Sequence, residues 1–118
     1  PYEQPPLMAE VSRYAKPNES LVVWGWYNQL HVETGLVMGA RFIPMYLPIF
    51  PNEQQPYFMR YLEQDLLTKR PKVIVDLSRV SREYRPYPPE SYPSLWKLVQ
   101  QRYRLISVVD SVRVFVRK

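Results

Sequence analysis

The sequence predicts an α/β fold, a three-layer Rossmann-like domain whose mostly parallel sheet is closed by a C-terminal antiparallel hairpin. Three observations predict it. "LVVW" at Leu21 to Trp24 and "VIVDL" at Val73 to Leu77 are continuous apolar, β-rich runs, as expected of strands covered on both faces. Helical patterns alternate with these runs, which is the signature of strand-helix-strand units with right-handed crossovers. Near the end, two β segments are separated only by Asp110 and Ser111, too few residues for anything but a tight reversal. At 118 residues the chain is read as one α/β domain, residues 1–118, with no room for a separate catalytic module.

Taken in order, Pro5 and Pro6 open a helix with Leu7, Val11, Tyr14 and Ala15 on one face, and Pro17 stops it. After the turn "PNES" comes the strand Leu21 to Trp24. Asn28 is placed to cap a short helix that ends near Gly35. From Leu36 to Pro51 the prolines at 44, 48 and 51 forbid a regular helix or a central strand, so a long loop is expected, with a short strand around Ala40 to Phe42. Pro56 starts the clearest helix, with Phe58, Tyr61, Leu62 and Leu66 a turn apart and a stop at Thr68-Lys69-Arg70-Pro71. The strand Val73 to Leu77 leads into the polar loop "SRVSREYRPYPPES". A helix over Tyr92 to Tyr103 follows, burying Leu95, Leu98 and Val99. The closing segments are Leu105 to Val109 and Val112 to Val116. The alternation of Val112, Val114 and Val116 with Arg113, Phe115 and Arg117 suits a half-covered edge strand.

Thirteen prolines against three glycines, with ten tyrosines, imply stiff connections that carry aromatic rings. The net charge of +5 favours anionic neighbours such as phospholipid headgroups, lipid-linked phosphates or nucleic acid. The lack of cysteine excludes disulfides and thiol chemistry in the chain. No apolar run reaches the roughly 18 to 20 residues of a bilayer span, and no signal-peptide pattern is present. The start at Pro1 suggests a piece of a longer protein.

Candidate chemistry is sparse. His31 is the single histidine, so a histidine-based metal cluster is excluded and no clustered carboxylate motif replaces it. Without a G-x-S-x-G elbow there is no nucleophilic triad, and His31 and Glu33 read first as helix surface. "WGWYN" lacks the glycines of a nucleotide-binding turn. Trp26 and Tyr27, just past the first long strand, are amphipathic rings that either stack on sugars, sit at a lipid interface or lid the sheet. The loop after the second long strand carries Arg79, Arg82, Arg85, Tyr84 and Tyr87, and parallel strands would bring it to the same sheet end as Trp26. Arginine forks suit phosphate and aromatic rings suit sugars, while the bland alternative is a solvated, disordered connection. "ARFIPMYLPIF" either wraps its own sheet or meets a membrane or partner through Ile43, Tyr46, Leu47 and Phe50.

The phrases "LVVWGWYNQLHVETGLVMGARF", "LLTKRPKVIVDLS" and "YPSLWKLVQQRYRLISVVDSVRVFVRK" together resemble the soluble C-terminal domain of bacterial GT-C type membrane glycosyltransferases, relatives of protein O-mannosyltransferases and aminoarabinose transferases. The resemblance runs from Ser20 onward. It implies a transmembrane bundle before the domain, a polyprenyl-phosphate sugar donor, a catalytic carboxylate in the membrane part, and a location on the outer side of the inner membrane. By this resemblance the domain itself holds no catalytic residue, cofactor or metal. Its contact residues toward the bundle, a lipid-linked phosphate or a glycan would be Trp26, Tyr27, His31, Arg41, Arg79, Arg82, Arg85 and Tyr87, with Arg41 taken from the Ala-Arg-Phe phrase as either substrate contact or loop prop.

A second class is a free-standing basic α/β binding module for nucleic acid or another anionic ligand. Against nucleic acid, the basic residues look scattered and Glu63 and Asp65 interrupt any stripe. A small hydrolase, the third class, lacks a credible nucleophile or base.

Overall fold

The computed structural model of the chain describes residues 5–27, 29–42 and 45–118. In chain order its elements are α1 (Pro5–Tyr14), β1 (Ser20–Trp24), α2 (Gln29–Thr34), β2 (Val37–Met38), α3 (Tyr46–Ile49), α4 (Gln55–Thr68), β3 (Val73–Asp76), a 3-10 turn at Pro89–Ser91, α5 (Pro93–Arg102), β4 (Tyr103–Val109) and β5 (Val112–Arg117). The strands form one sheet in the order β2-β1-β3-β5-β4.

Alternation along the strands sends successive residues into two apolar clusters. Leu21 and Val23 of β1 join Val73 and Val75 of β3 and Val112, Val114 and Val116 of β5 against Leu7 and Val11 of α1 and Leu30 of α2. Val22, Trp24, Ile74 and Phe115 join Leu62 and Leu66 of α4 and Leu95 and Val99 of α5 in the other cluster. A period of two along the strands and of 3.6 along the helices therefore explains most of the burial.

The sheet is mixed, which corrects the expected mostly parallel Rossmann-like layer. β1 is parallel to β2 and β3, whereas β5 is antiparallel to β3 and β4. The reason is the closing hairpin, which inserts its second strand beside β3, so that the C-terminal half of the sheet runs antiparallel. β5 is accordingly not the half-covered edge expected of it: Val112 to Val116 are all buried, and β4 takes the edge. A register shift between Leu105 and Ser107 interrupts that edge, a feature that discourages pairing with another chain. The hairpin turn is as tight as expected, with φ of 49° at Asp110 and 68° at Ser111.

Between Leu36 and Pro51 the short strand lies at Val37–Met38 rather than Ala40 to Phe42, and Tyr46–Ile49 forms a helical turn despite Pro48. The strand stops at Gly39, where a Cβ would lie 2.6 Å from the Pro71 side chain, so only glycine allows the approach. The cap expected from Asn28 lies outside the described residues, as do Ile43 and Pro44. Met45, Pro48 and Ile49 are buried, Leu47 and Phe50 half-buried, and Tyr46 exposed, so this segment largely covers its own core.

Candidate functional site at the strand ends

The chain leaves β1 through α2 toward β2 on one side, then returns through α3 and α4 to place β3 on the other side of β1. α2 packs in one apolar cluster and α4 in the other, so the two crossovers cover opposite faces. The carboxyl ends of β1 and β3 therefore form a topological switch point, where open α/β sheets leave a crevice. Register fixes them side by side: Trp24 pairs with Asp76, and the Leu77 amide donates to the Trp24 carbonyl at 3.0 Å.

Immediately beyond, Gly25 adopts φ +137°, and a Cβ there would stand 2.9 Å from the Leu77 Cβ. This close approach turns the chain outward. Trp26 consequently projects into solvent, 65% exposed, while Tyr27 leans back onto the cluster of α1 and α2. The sequence expectation that Trp26 and the 78–91 loop share one sheet end is met by the parallel pairing of β1 and β3.

That loop is not a disordered connection. Successive turns close it, from the Ser81 amide to the Leu77 carbonyl (2.8 Å), from Tyr84 to Ser81 (3.1 Å) and from Tyr87 to Tyr84 (2.9 Å). Tyr84 is buried beside Phe50 at a ring separation of 4.8 Å. The Trp24 indole N–H donates to the Tyr87 carbonyl at 2.9 Å, tying β1 to the far end of the loop. Tyr87 thus serves packing and anchoring, and the guanidinium-bearing residues Arg79, Arg82 and Arg85 remain exposed.

Two acids at this end, Asp76 and Glu90, share one arginine, while Glu83 in the loop stays exposed. Arg113 donates from Nε to Asp76 Oδ2 at 2.9 Å, and from Nη1 and Nη2 to the two Glu90 oxygens at 2.8 and 2.6 Å. Asp76 also accepts from the Ser78 amide at 2.9 Å, and the Trp96 and Phe115 rings flank the guanidinium. Arg113 holds the Glu90 carboxyl below its usual range, against the opposing pull of burial. Sequence reasoning missed this triad. The signal was present in a lone arginine between valines, in a strand whose neighbour ends in aspartate.

Two other expected contact residues have partners of their own. Arg41 is a loop prop: Nη2 reaches Asp65 Oδ1 at 2.6 Å, Nε reaches Oδ2 at 3.1 Å, and its backbone amide donates to Oδ2 at 2.9 Å. Its guanidinium also lies over the Tyr61 ring at 4.4 Å. Asp65 is fully buried, so it does not interrupt an exposed basic stripe as the sequence had suggested. Burial pushes its carboxyl upward, but the hydrogen bonds and charge of Arg41 outweigh that and hold it below the usual range.

His31 is half-buried on α2. Its Nδ1–H donates to the Leu36 carbonyl at 3.2 Å, and burial lowers its pKa, with that hydrogen bond opposing, so the ring is neutral at pH 7. It lines a cavity of about 20 Å³ together with Gly25, Met38 and Gly39, room for one water rather than a ligand. Among the described residues no three metal-ligating side chains converge.

Fold and face together define a mixed α/β domain whose strand ends present an exposed tryptophan and three exposed arginines. Comparison with models of protein families, with curated proteins and with solved structures finds no match to the chain. No helix among the described residues is long and apolar enough to cross a membrane.

Proposed function

We propose that this domain is a contact module of a bacterial GT-C type membrane glycosyltransferase. On this reading it takes no part in bond making itself. It rests on the transmembrane part of the same polypeptide, on the outer side of the inner membrane, and meets an anionic partner, a lipid-linked phosphate or glycan, with its strand-end face. Tyr46 would extend this contact toward the membrane surface.

One observation carries the contact face. Trp26 is exposed at the same sheet end as Arg79, Arg82 and Arg85, while the carboxylates of Asp76 and Glu90 are occupied by Arg113. Against these three arginines the loop sets one further exposed carboxylate, Glu83, so positive charge is left in excess next to a flat ring, the combination that suits a phosphorylated sugar. The family assignment rests on the sequence resemblance. The three-layer arrangement, which comes from the alternation of strands and helices and not from that resemblance, is supported by the apolar clusters on both sheet faces.

Fractionation of the source cells with an antibody to this domain tests the reading. A detergent-extracted polypeptide several times larger than 14.2 kDa is expected, and W26A with R79Q/R82Q in that polypeptide should reduce transfer from a polyprenyl-phosphate sugar while leaving it folded. A soluble product of the domain's own size would sink it and put the anionic binding module first.

A further inference from the structure

The opposite end of the sheet carries a second concentration of charge, drawn from the stop of α4, the residue before β3 and the end of β5. β1 begins at Ser20 and β3 at Val73, and the antiparallel pairing of Val73 with Val116 brings Arg117 alongside Lys72. Backbone hydrogen bonds fix the junction: the Lys72 amide donates to the Ser20 carbonyl at 2.8 Å, and the Arg117 amide to the Lys72 carbonyl at 2.9 Å. α4 ends just before this point, and Arg70, at φ 49°, turns the chain so that Lys69 and Arg70 border the same space. The Arg117 guanidinium donates to the Arg70 carbonyl, which holds it there.

The result is an open cavity of about 690 Å³ lined by Lys69, Arg70, Lys72 and Arg117, and also by Asn18 and Glu19. Its size falls within the usual range for ligand sites, roughly 300 to 1,000 Å³. None of the ion pairs among the described residues involves these four cations. Glu19 is turned to the Lys16 amide, which it accepts at 2.7 Å. Four cations against the single carboxylate of Glu19 leave an excess of positive charge around the cavity, and an anion placed among them offsets that excess while receiving hydrogen bonds from lysine and arginine.

We propose that this cavity binds a phosphate ester carrying at least two negative charges, a phosphate monoester or a diphosphate. The site is separate from the strand-end face and does not depend on the glycosyltransferase reading.

The test uses the 118-residue chain and inorganic pyrophosphate as the probe, followed by amide chemical shifts. Saturable shifts are expected at Asn18, Lys69, Arg70, Lys72 and Arg117, with affinity falling as salt rises. K69Q/K72Q should weaken binding roughly tenfold, whereas R60Q/K97Q, which removes the same charge from exposed positions elsewhere, should leave it in place. Sedimentation with phosphatidic acid vesicles, whose headgroup is a phosphate monoester, and with phosphatidylcholine vesicles separates the sources. Anionic-vesicle binding lost in K69Q/K72Q assigns a lipid headgroup, and pyrophosphate binding without vesicle binding assigns a soluble phosphate ester. Absence of binding to either probe, shifts confined to other residues, or equal weakening by both double variants would overturn the proposal.

Discussion

Replacing Arg113 with methionine removes a guanidinium that is 6% exposed while leaving its partner Asp76, at 0%, in the protein interior. Methionine can occupy much of the same space between the Trp96 and Phe115 rings, so the loss is chiefly electrostatic. An interior carboxylate deprived of its cation costs about 3 to 5 kcal/mol. For a chain of this length, 1 kcal/mol corresponds to roughly 4 °C in the unfolding midpoint, so R113M should melt about 12 to 20 °C below the parent. E90Q provides the scale. Glu90 is 38% exposed and its loss leaves the Arg113 to Asp76 pair intact, so about 1 kcal/mol is expected. In D76N/R113M both interior charges are gone, and the double variant should recover about 2 kcal/mol relative to R113M alone. Urea unfolding at pH 7, followed by tryptophan fluorescence, measures the parent, D76N, R113M, E90Q and D76N/R113M. A cost for R113M no larger than that for E90Q, or strict additivity in the double variant, would refute the claim that the triad is held together by interior charge compensation.

Acid titration addresses the other pair. The folded Asp65 carboxyl lies below its unfolded value, so the unfolded chain binds the extra proton and stability falls as pH drops below about 4. D65N should cost about 1 to 3 kcal/mol at pH 7 and converge with the parent toward pH 2, as read from urea midpoints across that range. G25A should destabilise by about 2 kcal/mol or more, because both the φ of +137° and the Leu77 contact oppose a Cβ; a thermal midpoint within 2 °C of the parent would contradict this. Asp110 and Ser111 both hold positive φ, so D110N/S111G, the pair preferred in such turns, should stabilise by about 1 kcal/mol in the same urea assay.

Local pattern carried much of the fold. The apolar spacing of Phe58, Tyr61, Leu62 and Leu66 located α4, and the two-residue gap at Asp110 located the hairpin, because both depend on neighbours within a few residues. Long-range pairing was not legible in the same way. "VRVFV" alternates as an edge strand does, and only the contacts of Arg113 with Asp76 and Glu90, 37 and 23 residues away, explain how a charge is accommodated in a central strand. Arg41 was readable as either ligand contact or prop, since its partner Asp65 is 24 residues distant and sits on the buried side of α4. The cations of the second cavity lie in separate stretches of sequence that only the β3 to β5 register unites.

Of the five strands, β5 is last in chain order and yet lies between β3 and β4, contributing to both apolar clusters. A nascent chain therefore cannot seal the sheet while Val112 to Arg117 are still inside the ribosome, however early α4 and the pairing of β1 with β3 form. Until then β3 offers an open hydrogen-bonding edge and Asp76 lacks its counterion. This dependence on distant contacts makes folding slow relative to a helical domain of equal size, and leaves the incomplete chain open to chaperones and to pairing with other chains.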